Sequence, residues 1–161
     1  MSSVIRLAQS KDADSLRSLI QMCIASSIPH TRSVSPESVH NHCTQAYAQL
    51  EQMMQQPHFV VLIEQEKGTR EITGYLILDF ASVEPSTGEK QCFIVDLGVH
   101  PTRRGKFTTH RLLSRAARMA SARGLEYLVG VVSSSNPRTL QLALKGLDFE
   151  VERVQIVRRC K

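Results

Sequence analysis

Two stretches of this 161-residue chain carry residues that could do chemistry. The first is Asp96, a lone carboxylate inside the apolar run Cys92-Phe93-Ile94-Val95-Asp96-Leu97-Gly98-Val99. The run is short and rich in β-formers, which predicts a buried strand. A carboxylate buried there has a raised pKa, suiting it to take a proton near neutral pH. Equally, it could face a hydrogen-bond partner and orient the strand. The second stretch follows at once. His100-Pro101-Thr102 ends the strand, because proline cannot donate to a ladder. Arg103-Arg104-Gly105-Lys106-Phe107-Thr108-Thr109 then runs into a helical pattern. A strand, a basic glycine-containing turn and a helix start together make an anion site, with free N–H groups and the positive helix end beside fixed cations.

The elements that must position these residues follow from periodicity. After the turn, Leu112, Leu113, Ala116, Ala117 and Ala120 fall on one helix face, opposite Arg111, Arg115 and Arg118. Gly124 stands at the C′ position. The arginine stripe reads as a solvated face; nucleic acid is disfavoured, since aromatics are 5% of the chain and no nucleic-acid module is present. Upstream, Val4–Leu7 reads as a strand and Ser10 as the cap of a helix through Ile24, with Asp12 and Asp14 in its first turn. Ser35-Pro36-Glu37 starts a second helix that carries Val39, Cys43, Ala46, Leu50 and Met53 along one face to Pro57. His58–Glu64 and Ile72–Phe80 form a hairpin, with Gly74 marking a bulge or a close backbone approach. Glu64 and Asp79 are weaker base candidates, each reading as an exposed strand end. Leu125–Val132 is a further apolar strand, Ser133–Pro137 a cap cluster, Thr139–Lys145 a short helix and Val151–Arg158 a last alternating strand. Tyr47, Tyr75 and Tyr127 read as packing residues.

Composition narrows the class. Hydrophobic residues make up 42% and charged residues 22%, ordinary for a globular protein. No apolar run has membrane-spanning length, and no secretory signal is visible. The scattered Cys23, Cys43, Cys92 and Cys160 predict free thiols in a reducing cytosol, hence a cytoplasmic protein. His40 and His42 are two apart and point to different sides of a helix, so with His30 they make no metal site. The net charge of +5 suits an anionic partner such as a phosphorylated cofactor.

At the central stretch the chain resembles the GNAT acetyltransferase superfamily. The signature there is a strand, then (Gln/Arg)-x-x-Gly-x-(Gly/Ala), then a helix that grips the pyrophosphate of acetyl-CoA. Val99-His100-Pro101 and Arg104-Gly105-Lys106 match it; Phe107 stands at the first motif glycine and Thr109 at the Gly/Ala position. Further on, Asn136 and Leu147-Asp148-Phe149-Glu150 resemble the family's asparagine and Gly-Phe turn. The resemblance implies a single GNAT-like domain over residues 1–161. Its α/β fold would have a mixed sheet of about six to seven strands, antiparallel in the front half, and about four helices. It implies an acetyl-CoA-dependent N-acetyltransferase acting on a primary amine, small molecule or peptide, by direct attack on the thioester. The alternative is a catalytically silent acyl-CoA-binding protein of the same fold. By resemblance, Leu97, Gly98 and Val99 pair with the pantetheine arm, and the Val99 amide holds the thioester carbonyl. Arg104, Gly105, Lys106, Phe107, Thr108 and Thr109 hold the pyrophosphate, Asn136 lies beside the pantetheine, and Asp96 is the candidate base. No metal is implied, and a homodimer is compatible with the pattern. The family's acid, a tyrosine on the last helix, is missing: Ala143 or Leu144 stands there.

Overall fold

Apolar runs on either side of Gly68 pair as the expected hairpin, β2 (Phe59–Glu66) against β3 (Ile72–Asp79). The computed structural model describes residues 3–104 and 107–159. Around the hairpin, β1 (Ser3–Leu7) and β4 (Cys92–Val99) add antiparallel, and β5 (Leu128–Gly130) adds parallel to β4, giving the order β1-β2-β3-β4-β5. The parallel step needs a crossover, supplied by the helix that follows the basic turn. The helices are α1 (Ala13–Cys23), α2 (Pro36–Ala46), α3 (Leu50–Gln55), α4 (Thr108–Ala122) and α5 (Pro137–Gly146).

The two sheet faces carry separate apolar layers. Leu16, Leu19 and Ile20 of α1 and Leu50 of α3 bury against Val61, Ile63, Tyr75 and Ile77. Leu112, Leu113, Ala116 and Ala120 of α4 bury against the alternate residues Val60, Leu62, Leu76 and Leu78. Each fully buried leucine contributes about 2 kcal/mol to this packing. Gly124, with φ +72°, terminates α4 as expected, and Leu125 N–H closes back on the Ala120 carbonyl at 3.0 Å. Gly74 marks a close approach: a Cβ there would lie 2.5 Å from Thr108 Cγ2, so α4 starts directly over β3.

Four expectations are corrected. Ser10–Asp12 form a 3₁₀ turn and α1 begins at Ala13. Arg6 donates to both Asp12 oxygens at 2.7 and 2.8 Å, pinning β1 to that turn and holding the Asp12 carboxyl below its usual range. The second helix is broken into α2 and α3, where Arg17 Nε–H donates to the Tyr47 carbonyl at 3.1 Å and the Tyr47 ring turns inward. The apolar stretch Leu125–Val132 contributes only the three residues of β5. Val151–Arg158 forms no strand, so among the described residues the sheet has five strands rather than six to seven. Its alternating residues find no sheet face to cover: Val154 is 79% and Ile156 90% exposed, while Arg153 reaches Ser86 and Arg159 reaches Ser33. Strand propensity without burial does not hold a strand.

Candidate active site

A one-residue bulge decides where the Asp96 carboxylate goes. Ile77 sits opposite Asp96 but Leu78 sits opposite Ile94, leaving Val95 as the extra residue. Ile94 and Leu97 therefore both pack toward α4, and Asp96 turns to the other face, toward α1–α3. Without the bulge Asp96 would enter the α4 layer.

There the carboxylate is half-buried and held from three sides. Tyr47 Oη donates to Oδ2 at 2.8 Å and Tyr75 Oη donates to the same oxygen at 3.0 Å. The Leu97 N–H donates to Oδ1 at 2.8 Å. Burial pushes the Asp96 pKa up, and the hydrogen bonds from Tyr47, Tyr75 and Leu97 oppose that rise. Both phenols are pushed well above their usual pKa, first by burial and then by the Asp96 charge. They remain donors at every physiological pH. Tyr47 and Tyr75 are thus not mere packing residues. Tyr75 faces Gly98 across β3 and β4, a placement set by strand pairing rather than by local pattern. Tyr47, from a helix break, carried no sequence signal either.

Beside this carboxylate β4 has an open edge. Its pairing with β5 covers only Cys92–Ile94. His100 N–H donates to the Thr73 carbonyl at 2.9 Å. Strand alternation then turns the Val99 N–H the other way, out toward the gap beyond β5, while Gly98 turns toward β3. The Val99 carbonyl also points outward and accepts the Cys23 thiol at 3.5 Å. Of the three residues expected to meet a pantetheine arm, Val99 presents its amide and Leu97 spends its own on Asp96. Burial raises the pKa of the Cys23 and Cys43 thiols, and pushes that of Cys92 up to about 12, so all three stay protonated.

The basic turn meets α4 at Phe107, which takes the left-handed conformation with φ +60° and ψ 7°. Only glycine adopts this freely, so Phe107 holds a backbone conformation that favours glycine. Among the described residues no side chain caps α4, and a helix start leaves its first N–H groups without intrahelical acceptors. The Phe107 ring is 76% exposed, Thr108 is buried, Thr109 is half-buried and Arg104 is exposed. Gly105 and Lys106 lie outside the described residues. Phe107→Gly is expected to stabilise the fold by up to about 1 kcal/mol, because the left-handed penalty disappears and little packing is lost. A thermal melt checks this; a clear drop would mean that the ring packs more than its exposure implies.

Other assignments resolve simply. Asn136 caps α5, its Oδ1 accepting the Thr139 N–H at 3.3 Å. Asp79 accepts the Ala81 N–H at 2.8 Å, as a strand end does. Glu64, expected at an exposed strand end, is 1% exposed, and Arg111, expected in solvent, is its ion-pair partner. His30 holds the loop before α2 against the loop after β5: its N–H donates to Ser135 Oγ at 2.8 Å.

The model of the family described as "Acetyltransferase (GNAT) family" matches residues 26–149. No curated protein matches. Among solved structures, a Pyrococcus furiosus protein described as an acetyl transferase superposes with TM-score 0.78 at 17% identity, covering 99% of this chain and 100% of its own. AAC(6')-Iy bound to a bisubstrate CoA analogue gives TM-score 0.71 at 19% identity, with 99% and 100% covered. A ribosomal-protein-alanine N-acetyltransferase from Brucella melitensis biovar Abortus 2308 gives 0.68 at 18%, again with 99% and 100% covered.

Proposed function

The chain belongs to the acetyltransferase (GNAT) family, and on that premise we propose that it transfers acetyl from acetyl-CoA to a primary amine, the whole chain acting as one domain. Acetyl-CoA is the family's acetyl donor. Its fit to this chain is supported by the unpaired edge of β4, by the outward Val99 N–H and by the start of α4 behind a basic turn. The observation that carries the reading is Asp96 itself: a carboxylate of raised pKa, oriented by two phenols, on the stretch of β4 that runs beyond its pairing with β5.

The roles divide as follows. Oδ2 of Asp96 already accepts two phenols, which fill its lone pairs, so the proton of the incoming amine goes to the remaining lone pair of Oδ1. The neutral amine attacks the thioester carbonyl, whose developing charge the Val99 N–H stabilises; as the C–S bond breaks, the nitrogen sheds its surplus proton to solvent. Arg104 and the first amides of α4 hold the pyrophosphate. Ala143 is buried and Leu144 apolar, so neither position where the family's tyrosine would stand carries a hydroxyl to protonate the departing thiolate. A thiolate is stable enough near neutral pH to leave without one. The acceptor, a small-molecule or peptide amine, approaches from the α1–α3 face on which Asp96 opens.

The first test is ligand protection. At about one hundred times its Kd, acetyl-CoA should stabilise the protein by about 2.7 kcal/mol, which shifts the melting temperature by roughly 5–10 °C. Release of free CoA across a panel of amines then identifies the acceptor. Protection with no release from any amine would favour the silent acyl-CoA-binding reading, for which the missing α5 tyrosine speaks. No protection at millimolar acetyl-CoA would remove both.

A further inference from the structure

The basic turn is tied at both ends to a single strand. Just before it, Arg103 reaches Glu66 at 2.6 Å; just beyond it, Arg111 of α4 pairs with Glu64. Glu64 and Glu66 are two residues apart on β2, so their side chains leave the same face about 7 Å apart. Glu64 is almost completely buried, and Ser3 Oγ donates to its Oε1 at 2.7 Å. Arg111 donates in turn to Ser3 Oγ at 2.8 Å. Glu66 is 8% exposed, and the Arg103 guanidinium holds its carboxyl below the usual range. The four charged groups line a cleft of about 310 Å³ that also touches Phe107 and Thr108.

For a turn whose task is to hold a pyrophosphate, two carboxylates beneath it are electrostatically adverse. Each neutralises an arginine and repels the incoming anion. A buried ion pair also contributes little net stability, because desolvation offsets attraction. What such pairs do provide is fixed geometry, and a left-handed non-glycine residue such as Phe107 persists only where its surroundings over-determine it.

We propose that Glu64 and Glu66 are positioning residues for the acetyl-CoA site: by gripping Arg111 and Arg103 they clamp both ends of the turn and aim the first amides of α4 at the pyrophosphate. Arg103 and Arg111 hold the turn, whereas the exposed Arg104 meets the anion. This rests on the acetyl-CoA reading above.

The test exploits a conflict of sign. Glu66→Gln removes a negative charge beside the site at nearly constant shape. Coulomb attraction alone makes the variant bind acetyl-CoA more tightly; loss of the clamp makes it bind more weakly. Calorimetry is expected to show a Kd raised about tenfold, typical of broken charge networks. Turnover at saturating acetyl-CoA should stay near that of the unmodified protein. The double variant E66R/R103E rebuilds the pair with reversed polarity and should recover most of the affinity. Equal or tighter binding by a folded Glu66→Gln protein overturns the proposal. So does a folded E66R/R103E protein that binds as weakly as Arg103→Gln, since Arg103 would then be meeting the phosphate itself. That second arm decides the matter if Glu66→Gln does not fold. Failure of the unmodified protein to bind acetyl-CoA would overturn the underlying reading, and is told apart by being seen before any substitution.

Discussion

Asp96→Asn is expected to slow turnover by about 10²- to 10⁴-fold, the range for loss of a positioned general base, while leaving acetyl-CoA affinity nearly unchanged. Asparagine keeps the shape and an oxygen for the phenols, but cannot take the amine proton. Two pH signatures separate this from a structural role. Activity of the unmodified protein should rise as pH climbs through the raised Asp96 pKa, since the base must be ionised. Tyr47→Phe removes one donor to the carboxylate, so the Asp96 pKa rises further and the acid limb of kcat/KM moves to higher pH. Stability carries the opposite sign. A folded-state pKa above the unfolded value of about 3.9 gives a contribution present below that pH and lost as pH rises through the folded-state value. Ionised Asp96 therefore weighs against the fold at neutral pH. The stability of Asp96→Asn relative to the parent should improve from pH 4 to 7. A pH-independent rate in the parent would leave Asp96 orienting the strand and nothing more.

Elements with strong periodicity or punctuation were legible in the sequence. The hairpin around Gly68, the Ser35-Pro36 helix start and the Gly124 stop stand where residue types alone put them; the apolar face of α4 does so except for the exposed Ala117, and α5 starts at Pro137, two residues before the expected Thr139. Asp96 stood out because a carboxylate in an apolar strand must find hydrogen-bond partners or serve chemistry, and residue type alone left both readings open. The surroundings of Asp96 and the ion pairs beside the basic turn were not legible, for three physical reasons. The Val95 bulge sets which face Asp96 occupies, and bulges follow from pairing rather than from local pattern. Tyr47 reaches Asp96 across 49 positions of chain, through a helix break no propensity marks. Glu64 and Arg111 are charged, and a charged residue on a strand or helix reads as solvated until its partner is in view. The last strand failed for the converse reason. Val151–Arg158 has the alternation of a strand, yet its apolar residues cover nothing.

Gly98→Ala is expected to damage both stability and rate through one contact. Gly98 lies opposite Tyr75 across β3 and β4, and the Tyr75 ring lies over it on its way to Asp96. A Cβ at Gly98 would stand 2.3 Å from Tyr75 Cε1, 2.6 Å from Cζ and 2.7 Å from the hydroxyl oxygen. No pair of atoms tolerates that distance, so ring or strand must move. Tyr75 is 1% exposed, packed in the layer beneath α1, and has little room to yield. Overpacking of this kind destabilises by about 1–3 kcal/mol, which for a chain of this length lowers the melting temperature by roughly 3–10 °C. The displaced phenol also leaves Oδ2 of Asp96, so the acid limb of the rate profile should move up, as it does for Tyr47→Phe. A second substitution separates the two effects. Tyr75→Leu beside Gly98→Ala removes most of the clashing ring and should restore much of the lost melting temperature. It cannot restore the hydrogen bond, so the shifted pH profile should persist. If Gly98→Ala melts with the parent and keeps its pH profile, the ring has another place to go, and Tyr75 does not orient the base.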